Sequence, residues 1–164
     1  KWVFEEMAKI EEDFQIVLLG KVVDSGIIEF AKGKLGSKVK YFDGYISEEV
    51  FTEEMINSHA IIANLNLDSP YGIYKTSGVE FDGPVFGVPI IIESGLLSQN
   101  KNAMFLRFSD LSQFRARVEK IILSVNSGSY LEDYFEPAVE IALYYDKKKW
   151  EEKFLSEIGE FIHK

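Results

Sequence analysis

The chain has 164 residues, of which 46% are hydrophobic and 14% aromatic, with no cysteine and a formal net charge of −9. This length and composition are typical of one ordered domain over residues 1–164, not of a disordered segment. The acidic balance argues against a broad nucleic-acid-binding surface, and the lack of cysteine excludes disulfides and thiolate zinc sites. No apolar run reaches the roughly 20 residues that cross a bilayer. We therefore expect a cytoplasmic protein, and any membrane association would be peripheral, at the inner face.

The first part of the chain alternates helices with strands. The predicted order is helix 2–10, strand 14–19, helix 24–36, strand 38–42, helix 47–59 and strand 60–65. Phe4, Met7 and Ile10 share one face of the first helix, and the strand at 14–19 is too continuously apolar to be half exposed. Asp24 and Ser47 are the predicted N-caps of the next two helices.

The second part continues the same alternation. A helix opens on Thr76-Ser77-Gly78, and a Gly-Val-Pro turn leads into a strand at 88–92, followed by a strand at 104–108. Ser109 or Asp110 begins a helix with an apolar face that includes Leu111, a loop is expected at 126–129, and helices are expected at 131–143 and from 146 onward. Alternating strands and helices predict the α/β class, here a Rossmann-like parallel sheet with helices on both faces.

Parallel sheets bind ligands beyond the carboxyl ends of their strands. The loops at those ends are Gly20-Lys21, 43–45, 66–76 and 93–95. The helix that opens on Thr76-Ser77-Gly78 would present unpaired N–H groups and a partial positive charge to an anion such as phosphate. Asp82, about one turn inside that helix, is placed to bind hydroxyl groups beside it, so the pair of features predicts a nucleotide or nucleotide-sugar site.

Each of these features also has a plainer interpretation. The Thr-Ser-Gly sequence could cap a structural helix, since most helices need such a cap. Asp82 could be a solvated helix residue, with Phe81 and Val85 defining the buried face. Tyr45 could stack on a base or cover the edge of the core. Acidic residues clustered over 48–54 read as a solvated helix face, so no metal site is predicted.

Five segments, taken in order, resemble the C-terminal, nucleotide-binding half of a retaining, group 1 type GT-B glycosyltransferase. They are IVLLG (16–20), VKYFDGYISEEVF (39–51), SHAIIANL (58–65), KTSGVEFDGPVFGVPIII (75–92) and YYDKKKWEEKF (144–154). Together they span most of the chain. The resemblance implies the C-terminal half of a GT-B fold and transfer of a sugar from a nucleotide-diphosphate donor.

The same resemblance implies where the donor binds. Lys75, Thr76, Ser77 and Gly78 would meet the diphosphate, and Asp82 would meet the ribose hydroxyls. The base would lie against the loop after the second strand, at Gly44, Tyr45 and Ile46, and the first loop adds Gly20 and Lys21 to the donor site. It implies no cofactor and no metal beyond the donor as substrate, and it identifies no catalytic residue.

The expected partners are the nucleotide-sugar donor and a glycan, a lipid-linked or a small-molecule acceptor, and no nucleic acid. The acceptor groups would come from an N-terminal domain, and the opening KWVFEEMAKI, inside a predicted helix and without Met, predicts that this chain is a fragment lacking that domain. Such a fragment alone is expected to be inactive.

Three positions depart from the pattern of the family. Tyr74 stands where an acidic residue is usual, Val79 where a related subgroup has Lys, and Asp82 where Glu is usual. These departures favour an alternative, a non-catalytic GT-B-like binding module or partner subunit. A GT-B sugar epimerase is a third possibility, since it shares the nucleotide-binding half of the fold.

Overall fold

A computed structural model of the chain describes residues 1–22, 24–63, 79–94 and 104–137. The strands are β1 (Ile16–Lys21), β2 (Val39–Phe42), β3 (Ile61–Ala63), β4 (Ile90–Glu93) and β5 (Phe105–Phe108). The helices are α1 (Trp2–Met7), α2 (Ser25–Leu35), α3 (Glu48–Ile56), α4 (Val79–Phe86) and α5 (Leu111–Ser127). A short 3₁₀ turn at Gly36–Lys38 follows α2, and a π-helical segment, Leu131–Phe135, follows α5.

All strand pairs in the described residues are parallel. β1 pairs with β2, with Ile16 opposite Val39. β4 lies between β3 and β5, with Ile90 opposite both Ile61 and Phe105. The predicted α/β class and the five predicted strands are confirmed. The expectation of a single sheet is not met within these residues, because the strands form one sheet of two and another of three.

The helix starts follow the local capping chemistry. Asp24 accepts a hydrogen bond from the backbone N–H of Gly26 at 2.9 Å, Ser47 from Val50 at 3.4 Å, and Asp110 from Gln113 at 2.8 Å. Each of these bonds satisfies an N–H group that has no partner within its own helix. The predicted caps of α2 and α3 are confirmed, and Asp110 rather than Ser109 caps α5.

The helix ends differ from prediction by several residues. α1 stops at Met7 instead of Ile10, because the N–H groups of Lys9 and Ile10 bond only three residues back, to the carbonyls of Glu6 and Met7, both at 3.1 Å. α3 stops at Ile56 instead of His59. α5 continues through the predicted loop to Ser127 and ends at Gly128, whose φ of 79° is left-handed and favours glycine.

The main core joins both sheets to α1, α2 and α5. Its buried members are Val3, Phe4, Met7, Ile10, Ala31, Leu35, Val39, Ile91, Phe108, Phe114, Val118, Ile121 and Tyr134. A second, smaller cluster contains Ala63, Ile90, Ile92 and Phe105. The predicted apolar faces of α1 and α5 are therefore largely correct. Leu111 is the exception, because it lies in the exposed first turn of α5.

Among the described helices, none combines the length and the hydropathy that crossing a bilayer requires.

Candidate functional site

A cavity of about 1070 Å³ lies between the two sheets. One side is formed by 16–19 of β1 and the other by 60–62 at β3, while side chains of α1 and α5 contribute apolar walls. Its lining includes Leu19 and Val22, within and just after the last residues of β1, and Val79 and Asp82 of α4. The cavity therefore reaches the edge of the sheets at which parallel α/β folds bind ligands.

Asp82 is the one acidic residue of α4 with a described side chain that lines this cavity. It is partly buried, and burial raises the pKa of its carboxyl above the ordinary value. No hydrogen bond or ion pair joins it to another described residue, so neither of these interactions offsets the cost of removing its charge from water. Such a carboxylate is an available acceptor for ligand hydroxyl groups.

The described part of α4 begins at Val79, three residues before Asp82. The preceding residues of the predicted anion site, Lys75, Thr76, Ser77 and Gly78, lie outside the described residues, as does Tyr74.

Gly83 determines how closely α4 approaches β4. A Cβ atom at Gly83 would lie 2.5 Å from Cδ1 of Ile90 and 2.9 Å from the carbonyl oxygen of Val88. The N–H of Val88 donates to the carbonyl of Gly83 at 2.8 Å and closes the turn before β4. The sequence analysis did not identify this glycine, because its role depends on a neighbour in the next strand.

The orientation of α4 corrects one predicted face. Val85 is 71% exposed, whereas Gly83 and Pro84 are buried. The expectation that Val85 belongs to the buried face of this helix is wrong. The helix turns its smallest side chain toward β4, since only glycine fits there, and this rotation directs Val85 to the surface.

Val79, in the first described turn of α4, lies in an apolar environment. It is partly buried, packs against the smaller core cluster and lines the cavity. The valine that replaces the lysine of the related subgroup therefore has apolar neighbours, as suits its side chain.

The predicted base-binding loop follows β2. Tyr45 is 90% exposed, so the interpretation in which it covers the edge of the core is wrong. Gly44 has open space where a Cβ would project, and Ile46 is half-buried. These three residues do not line the cavity that contains Asp82.

Gly20 lies within β1, not in the loop predicted to follow it. Its φ of 95° falls at the irregularity where the pairing with β2 shifts between Leu18 and Lys21. A non-glycine residue would be strained in this conformation. Lys21 is the last residue of β1, at the predicted edge of the sheet.

Two aromatic residues near the cavity were not predicted to contribute to it. Phe51 of α3 lines the cavity and packs edge-to-face on Phe86 of α4, with ring centroids 6.1 Å apart. His59 also lines it, but its carbonyl accepts a hydrogen bond from the Tyr130 hydroxyl at 2.9 Å and its ring packs on that tyrosine. These contacts of His59 with Tyr130 connect the end of α3 to the segment that follows α5.

The described side chains contain no group of three or more potential metal ligands.

Comparisons with protein-family models, with curated proteins and with solved structures find no match to this chain.

Proposed function

We propose that this domain binds the nucleotide-diphosphate part of a sugar donor, as the C-terminal half of a cytoplasmic GT-B glycosyltransferase with a Rossmann-like sheet. The observation that carries the proposal is the position of Asp82. Its side chain is partly buried and lines the cavity that extends beyond the end of β1, to Val22. This is the place where a sugar or ribose hydroxyl would meet it.

The electrostatics of Asp82 support the same role. Burial raises the pKa of this carboxyl, so its charged form is disfavoured in the absence of a ligand. Hydroxyl donors of a bound ribose would replace the lost water and stabilise the charge. A hydrogen bond from a ligand hydroxyl to Asp82 should therefore contribute more to the binding free energy than one to a fully hydrated carboxylate.

Sugar transfer from such a donor requires stabilisation of the departing diphosphate. N–H groups at a helix start supply part of that stabilisation, because their dipoles point at the developing negative charge. The beginning of α4 would have this role.

The test is calorimetric titration of the full-length protein with UDP, GDP and ADP. Asp82→Asn should weaken the best ligand by about 10-fold, the equivalent of one charge-assisted hydrogen bond. The same change should stabilise the free protein by about 0.5 kcal/mol, because it removes a poorly hydrated charge near neutral pH. The matched control is Glu29→Gln, which removes an exposed carboxylate from α2.

The two measurements answer separate questions. Weaker binding with equal or higher stability supports a ligand role for Asp82. Unchanged affinity in Asp82→Asn, or no binding of any of the three nucleotides by the parent protein, contradicts the proposed function. Weaker binding that also appears in Glu29→Gln would indicate a general charge effect.

A non-catalytic binding module is the second candidate, and the setting of Val79 favours it. The partly buried Val79 packs against the cluster of Ala63, Ile90, Ile92 and Phe105. A related subgroup of the family has a lysine in place of this valine. A site without that cation would bind the diphosphate less tightly and assist its departure less. Donor turnover by the full-length protein distinguishes the two, since a module would bind a nucleotide-sugar without hydrolysing or transferring it.

A further inference from the structure

Phe51 places an aromatic ring on the wall of the cavity that Asp82 also lines. It lies in the first turn of α3 and is half-buried. Among the described residues, neither Phe51 nor its neighbour Phe86 belongs to the two core clusters. An aromatic side chain on a cavity wall, outside the core, is of the kind that ligand sites use for apolar contact.

One contact connects Phe51 to the helix of Asp82. Its ring packs edge-to-face on Phe86, with centroids 6.1 Å apart and ring planes at 72°. Phe86 follows Asp82 by four residues in α4, so the two share a face of that helix, about 6 Å apart along its axis. Phe51 and Asp82 therefore lie close to each other on the cavity wall.

The geometry of the ring pair leaves a surface of Phe51 for a further ring. In an edge-to-face pair, the edge of one ring meets one face of the other. If Phe51 contributes the edge, Phe86 covers neither of its faces, and if Phe51 contributes a face, Phe86 does not cover the opposite one. Phe86 is the one ring in contact with Phe51 among the described residues. At least one face of Phe51 is therefore not used by a ring of this part of the chain.

The loop predicted to hold the base does not place a ring on this cavity. Gly44, Tyr45 and Ile46 are not among the residues that line it, and Tyr45 is 90% exposed. Along the chain after β2, Phe51 is the first described residue that lines the cavity. The aromatic side chain that a base would meet there is therefore on α3, not in the loop before it.

We propose that Phe51, and not Tyr45, stacks on the base of the bound nucleotide, an inference that rests on the function proposed above. The base and the ribose are covalently joined, so a ribose held by Asp82 brings its base to an adjacent part of the wall, where Phe51 lies. Every base has a flat π-face, so a phenyl ring contributes affinity for uracil, guanine and adenine alike. The ring strengthens nucleotide binding without selecting the base.

Calorimetric titration of Phe51→Leu with UDP, GDP and ADP tests the stacking. Leucine keeps an apolar side chain against Phe86 but has no π-face, so the affinity for each nucleotide that the parent binds should fall about 10-fold. Ribose 5-phosphate, which has no base, should bind the variant and the parent equally. Unchanged affinity for the nucleotides, or an equal loss for ribose 5-phosphate, would overturn the role of Phe51.

Tryptophan substitution provides a spectroscopic test with a matched control. Phe51→Trp keeps a stacking surface, so it should bind the nucleotide about as tightly as the parent, and the bound base should quench its indole fluorescence beyond any change seen in the parent. The same replacement at the exposed Tyr45 should add no quenching. Absence of added quenching in Phe51→Trp, with or without quenching in Tyr45→Trp, would overturn the proposal.

Failure of this inference and failure of the proposed function give different results. No binding of UDP, GDP or ADP by the parent contradicts both. Nucleotide binding that Asp82→Asn weakens and Phe51→Leu leaves unchanged contradicts the role of Phe51 alone.

Discussion

Two glycines in helices show how the surroundings of a residue decide the effect of one methyl group. Gly83 lies against β4, where an added Cβ would approach Ile90 to 2.5 Å and a backbone oxygen to 2.9 Å. Gly33 is exposed in α2, with nothing within 4 Å of the same atom. Alanine should therefore have opposite effects at the two positions.

We expect Gly83→Ala to destabilise the protein by about 2–3 kcal/mol, because α4 must move away from β4 to accommodate the methyl group. Gly33→Ala should stabilise it by about 0.5–1 kcal/mol, through the better helix propensity of alanine. Urea unfolding of the two variants measures both effects. Equal stabilities of Gly83→Ala and the parent would show that α4 does not pack this closely.

Tyr130 provides a prediction for high pH. Burial, with a smaller contribution from Tyr134, raises the pKa of the Tyr130 hydroxyl to about 12. In the unfolded chain the group titrates near its ordinary value, so the folded state retains the proton longer. The stabilising contribution is complete below about pH 10 and is lost as the pH rises toward 12.

Absorbance titration at 295 nm should show a tyrosine that ionises near pH 12, and Tyr130→Phe should remove that ionisation; burial also raises the pKa of Tyr134, which should stay in the titration curve of the variant. The decline of stability between pH 10 and 12 should also become shallower in that variant. An ionisation near pH 12 that persists in Tyr130→Phe would assign the large shift to another tyrosine.

At the scale of whole elements, Glu6 connects α1 to α5. Its side chain is only 6% exposed and forms ion pairs with Arg115 of α5 at 3.3 Å and with Lys9. Glu119 pairs with the same arginine at 3.8 Å, but it does so within α5 and at the surface. These two carboxylates form a matched pair, since they share a partner and differ in burial.

Glu6→Ala should lower the free energy of unfolding by about 2 kcal/mol. The change leaves the partly buried Arg115 without its Glu6 partner and removes the ion pair between α1 and α5. Glu119→Ala should cost about 0.5 kcal/mol or less, as expected of an exposed pair on one helix. Denaturant unfolding monitored by tryptophan fluorescence measures both losses, and Trp2, which packs on Phe108 and Phe114, contributes to that signal. Similar losses in the two variants would mean that burial is not what strengthens the Glu6 pair.

The element starts were more predictable than the element ends. Asp24, Ser47 and Asp110 cap their helices through side chains two or three residues from the bonded N–H, so the signal is local. The end of α3 was missed because Asn57 and Ser58 donate side-chain hydrogen bonds to carbonyls one turn earlier. Such bonds compete with continuation of the helix and leave little trace in the periodicity of apolar residues.

At the scale of the whole molecule, the arrangement of the strands was only partly predictable. Hydrophobic runs separated by amphipathic helices predicted five parallel strands, and the structure has them. Their division into sheets of two and three strands depends on which edges meet, and each edge is formed by residues far apart in sequence. The cavity between β1 and β3 arises from this division.

The sequence by itself determined the class of the fold, the types of its elements and most helix starts, because these depend on residues within one or two turns of each other. Only the tertiary structure decided that Asp82 is partly buried on a cavity, that Val85 faces outward and that Gly83 contacts Ile90. Each of these depends on the distance between elements, which no local pattern encodes. The same reason explains why Asp82 was predicted as a candidate, whereas its raised pKa and its position on the cavity were not.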